Sequence, residues 1–244
     1  MPDKLVKPLA ILVLLLSLSS APAQTRAYTQ RLYCNLALEW LQDGTNGGKA
    51  LQPTTAAVTG TCWAVEVKGQ NILVTAAHTL GHGPNFNPVL VPGGKLLSVH
   101  IECFVSPLAF KLREVGFPRG NPDWVALRPS DAKAFKEAQV LKLSTTVPRL
   151  GEVVTVIGFP DTAHEQRTER TITAFSRDNE FIVFTQPLEP GYSGGVVLNS
   201  KQQAIALVVT SETKQSTALL LSLNKLAAVE WKPFELIQRR KTAQ

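Results

Sequence analysis

Asn71-Ile72-Leu73-Val74-Thr75-Ala76-Ala77-His78 is the stretch on which the fold turns. Its aliphatic and β-branched residues read as a strand, and two small alanines end it with an imidazole presented where the strand stops. Similar short runs occur at Cys62–Val67, Val99–Val105, Val153–Ile157, Glu180–Thr185, Gly195–Leu198 and Ala204–Thr210. They are broken by Lys68-Gly69-Gln70, Pro92-Gly93-Gly94, Arg177-Asp178-Asn179 and Asn199-Ser200-Lys201. Many short strands with such turns argue for an antiparallel barrel or sandwich. A helical stretch is expected over Asp131–Gln139, where Ala and Lys dominate, and it would mark a crossing near residues 130–148. A short C-terminal helix is expected over about 226–241, with Pro233 near its start and Phe234 and Ile237 on one face. The 244 residues, 44% hydrophobic, suffice for one domain or two small barrels.

Gly191-Tyr192-Ser193-Gly194-Gly195 carries the first chemical signal. A serine flanked by glycines lies on backbone that turns sharply and admits another molecule. The N–H groups of Gly191 and Ser193 can converge there on one point and hold the oxygen of a tetrahedral intermediate. A serine hydroxyl needs a base. Of the four histidines, His78 has the strand-end context for one. A carboxylate to fix the imidazole is offered by Asp123, in Asn121-Pro122-Asp123-Trp124-Val125-Ala126-Leu127. An aspartate entering an apolar strand is costly without a partner, although a turn capped after Pro122 would also suit it.

V-T-A-A-H ending at His78, D-W-V-A-L from Asp123 and P-G-Y-S-G-G around Ser193 together resemble the signature segments of trypsin-like peptidases, in that class's His, Asp, Ser order. Gly151–Pro160 is similar to the strand opening the second barrel of bacterial HtrA-like and related secreted peptidases. The resemblance covers roughly residues 55–225 and implies an all-β fold of two antiparallel Greek-key barrels, chymotrypsin-like, at about 55–130 and 148–225. It implies a serine endopeptidase acting on proteins or peptides without metal or cofactor. About twenty residues follow the last expected strand, so a lone peptidase without a PDZ module is expected.

Chain order disposes of the rivals. An α/β-hydrolase needs its histidine after the serine, and none follows His164. A subtilisin-like order needs an aspartate before the histidine, and neither Asp3 nor Asp43 has a supporting context. His78 and His82 lack the glutamate of a metallopeptidase helix. A binding protein that keeps the fold without turnover is the alternative from another class. Departures from the family pattern also inform. Tyr192 stands where digestive-type members carry the aspartate that pairs with a freed N-terminus, so constitutive competence is expected. Pro187 falls where an acidic pocket floor would sit, which removes support for a preference for Arg or Lys. The resemblance makes Val208, Val209 and Thr210 pocket-lining and implies a small or medium apolar residue before the cleaved bond.

At the N-terminus Lys4 and Lys7 precede an apolar run from Leu9 to Leu16, extended to Leu18, and Ala21-Pro22-Ala23 follows. This is the order of a secretory signal and is too short to span a bilayer comfortably, so residues 1–23 are expected to be removed and the protein secreted or periplasmic. Residues 24–54 read as a leader, possessing a polar stretch at Asp43–Lys49, and are a candidate inhibitory segment. In an exported protein two of Cys34, Cys62 and Cys103 can pair, and the sequence does not choose which. By the family likeness Cys62 lies on a strand suited to pair with Cys103 or Cys34. The net charge of +6 comes from scattered Lys and Arg without interleaved aromatics, which argues against a nucleic-acid partner. A monomer with no stable membrane insertion is expected.

Overall fold

A computed structural model of the chain describes residues 27–43, 49–82, 95–106, 111–120, 122–131, 135, 138–160, 164–211, 214–234 and 239–241. The strands of its first half are β1 (Thr29–Asp43), β2 (Lys49–Val67), β3 (Gln70–Thr75), β4 (Lys95–Ser106), β5 (Leu112–Phe117) and β6 (Val125–Pro129). Those of the second are β7 (Val153–Gly158), β8 (Gln166–Phe175), β9 (Phe181–Phe184), β10 (Val196–Leu198), β11 (Ala204–Ser211) and β12 (Ser216–Leu220). A short helix α1 (Leu223–Ala227) follows, then β13 (Glu230–Pro233) and β14 (Arg239–Lys241). The second set closes into a six-stranded barrel in the order β10-β11-β12-β9-β8-β7. The first set, with β13 and β14, makes an eight-stranded curled sheet in the order β13-β5-β6-β3-β2-β1-β4-β14. This is the chymotrypsin-like double-barrel architecture expected above, with the first unit a half-barrel.

Three of the expected breaks are hairpin turns. Lys68 and Gly69 have φ of 51° and 74° between paired Val67 and Gln70, the two-residue loop whose twist matches its strands. Asn179 takes φ 56° between β8 and β9. At the β10–β11 turn the Asn199 side-chain oxygen accepts from the N–H of Lys201 and of Gln203, each at 3.0 Å. Pro92-Gly93-Gly94 lies outside the described residues, as do the signal segment expected over 1–23 and most of the helix expected over 131–139.

Side-chain alternation explains why the central strands read as unbroken apolar runs. Along β2, Cys62 and Ala64 enter one core and Trp63, Val65 and Val67 another. Leu73 in β3 and Val125 and Leu127 in β6 join the first core, while Ile72, Val74 and Ala126 join the second. The second core also takes Ile157, Val196, Leu207, Val209 and Leu219 from the closed barrel, so it is the seam between the two units. A third core, with Val156, Ile172, Phe184 and Val208, fills the closed barrel.

Both chain ends depart from expectation. Thr29–Asp43 and Lys49–Thr54 are not a leader but a hairpin of the first sheet, with β1 paired to β2 from Thr29↔Trp63 to Asp43↔Lys49. Leu32, Cys34 and Leu36 are buried and alternate with exposed Tyr33 and Asn35, the period of a half-buried strand. The Thr29 amide and hydroxyl both donate to Glu165 Oε2, at 2.7 and 2.9 Å, tying this strand to the second unit. The short C-terminal helix comes earlier than expected, at Leu223–Ala227, capped by the Ser222 side chain accepting from the Lys225 N–H. Glu230–Pro233, expected within the helix, is a strand paired with β5. Val229 and Trp231 alternate with Glu230 and Lys232, and Arg128 lies 3.7 Å above the Trp231 ring.

Because β1 is a wall of the first core, Leu32→Ala is expected to cost about 2–5 kcal/mol in denaturant unfolding. An unchanged midpoint would return Thr29–Asp43 to the status of a detachable leader.

Candidate active site

The buried strand β3 ends at Thr75, and the alanines that follow are almost fully covered. The chain then makes one 3-10 turn, Ala77–Leu80, closed by Gly81 at φ 62°. His78 stands in this turn. Its backbone N–H donates to Asp123 Oδ1 at 2.9 Å, and its Nδ1 lies 2.8 Å from Asp123 Oδ2. Asp123 is 2% exposed and the imidazole 18%. The Asp123 carboxylate therefore reaches across 45 residues of sequence, where a turn cap at Pro122 was the other expectation. Donation from the Trp124 N–H to the Pro122 carbonyl, at 2.8 Å, closes the bend that turns it inward. Burial of a carboxylate is tolerable only with such partners.

Ser193 is half-buried on a turn whose glycines are conformationally required. Gly191 has φ 95° and Gly194 φ 83°. The Gly195 N–H donates to the Tyr192 carbonyl at 2.7 Å, and the Gly194 N–H to Val208 O at 2.8 Å. Among the described residues no protein group accepts from the N–H of Gly191 or of Ser193. A Cβ on Gly194 would overlap Thr61 O and Thr75 Oγ1 and lie 3.0 Å from the Ala76 nitrogen. The turn thus presses on the chain two residues before His78. A Cβ on Gly60 would likewise stand 2.6 Å from Thr79 Cγ2 and 3.1 Å from Ser193 O. Tyr192 is buried in the closed-barrel core, its ring against Gly158. Burial raises its phenol pKa, and the nearby Glu189 carboxylate adds to the rise.

The profile of the trypsin-like peptidase domain matches residues 59–207. The chain belongs to that family. It is a serine endopeptidase, a hydrolase of peptide bonds. Among solved structures it is similar to the active form of the Rv3671c protease from M. tuberculosis, at 14% identity and a TM-score of 0.54, over 85% of this chain and 83% of that one. It is also similar to a serine endoprotease from Yersinia pestis, at 18% identity and a TM-score of 0.51, over 84% of this chain and 61% of that one. Likeness at these identities speaks to the fold. No curated protein sequence matches the chain.

In this peptidase the expected pocket residues sit deeper than a lining would. Val208 and Val209 are buried, one in the closed-barrel core and one in the seam. The Val208 backbone is bonded to Gly194 and Gly195. Thr210 continues β11 opposite Thr217, and Pro187 is exposed. Sequence reasoning missed Thr61, which is fully buried and bonds to Gly191, Ser193, Thr75 and Phe159. The only local hint of it is a hydroxyl in the apolar run Thr59-Gly60-Thr61-Cys62-Trp63. Its neighbour Cys62 is a free, buried thiol, contrary to the pairing its strand suggested. Cys34 is disulfide-bonded and stands opposite Cys103 in the β1–β4 register.

Burial pushes the Cys62 thiol up to about 12. It is expected to resist iodoacetamide in the native protein near pH 8 and to react on unfolding, as mass spectrometry would read. Rapid native alkylation would contradict the packing around Thr61 and Cys62.

Proposed function

We propose that this peptidase is exported and cleaves peptide bonds with Ser193 as nucleophile, His78 as general base and Asp123 as the group that orients it. The observation that carries the reading is the two-point hold of His78 by buried Asp123. An ionised carboxylate only accepts, so Nδ1 carries the imidazole proton and Nε2 keeps its lone pair. In the proposed cycle Nε2 takes the Ser193 hydroxyl proton as Oγ attacks the peptide carbonyl. The N–H groups of Gly191 and Ser193, which no protein group occupies among the described residues, would hold the oxygen as it becomes negative. His78 then gives its proton to the leaving amine. Water, deprotonated by the same imidazole, hydrolyses the acyl-enzyme and restores the Ser193 hydroxyl.

Export follows from the N-terminal signal pattern of residues 1–23, with a secreted or periplasmic destination. Among the described residues no helix is long and apolar enough to cross a membrane. We read the mature enzyme as a monomer acting on protein or peptide substrates with no metal or cofactor. A small or medium apolar residue before the cleaved bond suits the apolar Val208-Val209-Thr210 segment and the absence of an acidic residue at Pro187. Tyr192 in place of an aspartate favours an enzyme competent without a freed N-terminus.

A fluorophosphonate probe is expected to label the mature protein, and to leave Ser193→Ala and His78→Ala unlabelled. Asp123→Asn is expected to lower peptide turnover by a factor on the order of 10⁴, the general cost of a wrong tautomer in such triads. Absence of labelling in folded parent protein would move the reading to a binding role without turnover.

A further inference from the structure

Thr61 lies in β2, in the first unit, yet most of its polar partners belong to the second. Its N–H donates to Ser193 O at 2.7 Å. Its hydroxyl donates to Gly191 O at 2.8 Å and accepts from the Phe159 N–H at 3.0 Å. Its carbonyl accepts from Thr75 Oγ1 at 2.8 Å. A hydroxyl has one proton, and the Phe159 amide can only use a lone pair, so that proton is committed to the Gly191 carbonyl. Because Thr61 is 0% exposed, the carbonyl it holds is turned into the protein and away from any substrate.

This bond bears on the two amides assigned above to the oxyanion. Ser193 N–H shares a planar peptide with Tyr192 O, which is occupied by Gly195 N–H, so the amide is turned the opposite way. The next peptide toward the N-terminus contains Gly191 O and Tyr192 N–H, the latter donating to Glu189 O at 3.4 Å. Gly191, at φ 95°, has no Cβ to restrain its backbone, and of the two bonds that hold this peptide the one from Thr61, at 2.8 Å, is the shorter. Gly158 leaves room for that bond. A Cβ there would stand 3.1 Å from Thr61 Oγ1 and 2.8 Å from the Tyr192 ring.

We propose that Thr61 is a positioning residue whose hydroxyl holds the Gly191 carbonyl back, keeping the N–H groups of Gly191 and Ser193 aimed at the developing oxyanion. This rests on the reading of Ser193 as nucleophile. The hydroxyl acts only through the turn and does not itself meet the substrate.

The test compares saturation kinetics of fluorophosphonate labelling in the parent and in Thr61→Val, Thr61→Ser and Thr61→Cys, with thermal unfolding run beside each. For Thr61→Val the maximal labelling rate is expected to fall about 10- to 100-fold, the half-saturating probe concentration staying within about threefold. Thr61→Ser restores the donor and should return the rate to within about threefold of the parent, with Thr61→Cys, a weaker donor, in between. That split, with rescue by serine, is not what loss of packing alone would produce. A Val variant labelled as fast as the parent would overturn the proposal, as would a folded Ser variant as slow as Val. Should the Val variant fail to fold, the Ser and Cys pair decides, and equal rates overturn it. A parent labelled no faster than Ser193→Ala would instead remove the reading of Ser193, and the role of Thr61 with it.

Discussion

The contact between the serine turn and the first sheet depends on a side chain that is missing. Gly194 lies so close to Thr61 O, Thr75 Oγ1 and the Ala76 nitrogen that no Cβ fits between them, and its φ of 83° independently favours glycine. Ser193 is the residue before this contact, and His78 comes two residues after Ala76. The serine turn and the chain leading into the imidazole turn are thus packed directly against each other around a glycine. Gly60 repeats the device, its Cβ position crowded by both Ser193 O and the Thr79 side chain. Close packing of this kind is what positioning to within a fraction of an ångström requires.

How much of this was legible depends on where the partners of each residue lie. Strands β2, β3 and β6 announce themselves as apolar runs because each buries both faces, one in the first core and one in the seam. β1 buries Leu32, Cys34 and Leu36 but exposes Tyr33 and Asn35, and its mixed composition passes for a leader. The alternation was there to be read, but it spans few residues, and a half-polar strand is recognised chiefly by the sheet that receives it. The C-terminal region misleads for the opposite reason. Pro233 and Phe234 suit a helix start, while the pairing of Glu230–Pro233 with β5 is a tertiary fact.

The candidate site divides the same way. His78 and Asp123 stand in distinctive strings, and the structure brings them into direct contact. Thr61 has no such string, since a threonine in a strand is ordinary. What sets it apart is a set of bonds to residues 98 and 130 positions away, which no local pattern encodes. Cys62 shows the converse. A strand position suited by family likeness to a disulfide is instead closed into the first core, and Cys34 is disulfide-bonded.

Tyr192 indicates how the serine turn is kept in place without an ion pair at that position. An aspartate there would need a cation, and its hold would vanish whenever either charge was lost. The tyrosine instead buries its ring in the closed-barrel core, where Gly158 makes room for it. Burial, with Glu189 adding to it, raises its pKa above the ordinary 10.0 and so favours the neutral phenol. The sign follows from linkage. A group protonated more readily in the folded state stabilises fully below its unfolded pKa, and that contribution is lost only as pH rises through the folded value. Across neutral and acidic pH the ring therefore holds unchanged. The turn is then secured from three directions: by the Tyr192 ring in the closed barrel, by Gly194 N–H on Val208 of β11, and by Thr61 from the first sheet. None of these depends on a charged chain terminus, which is the physical basis for expecting a peptidase that needs no activating cut.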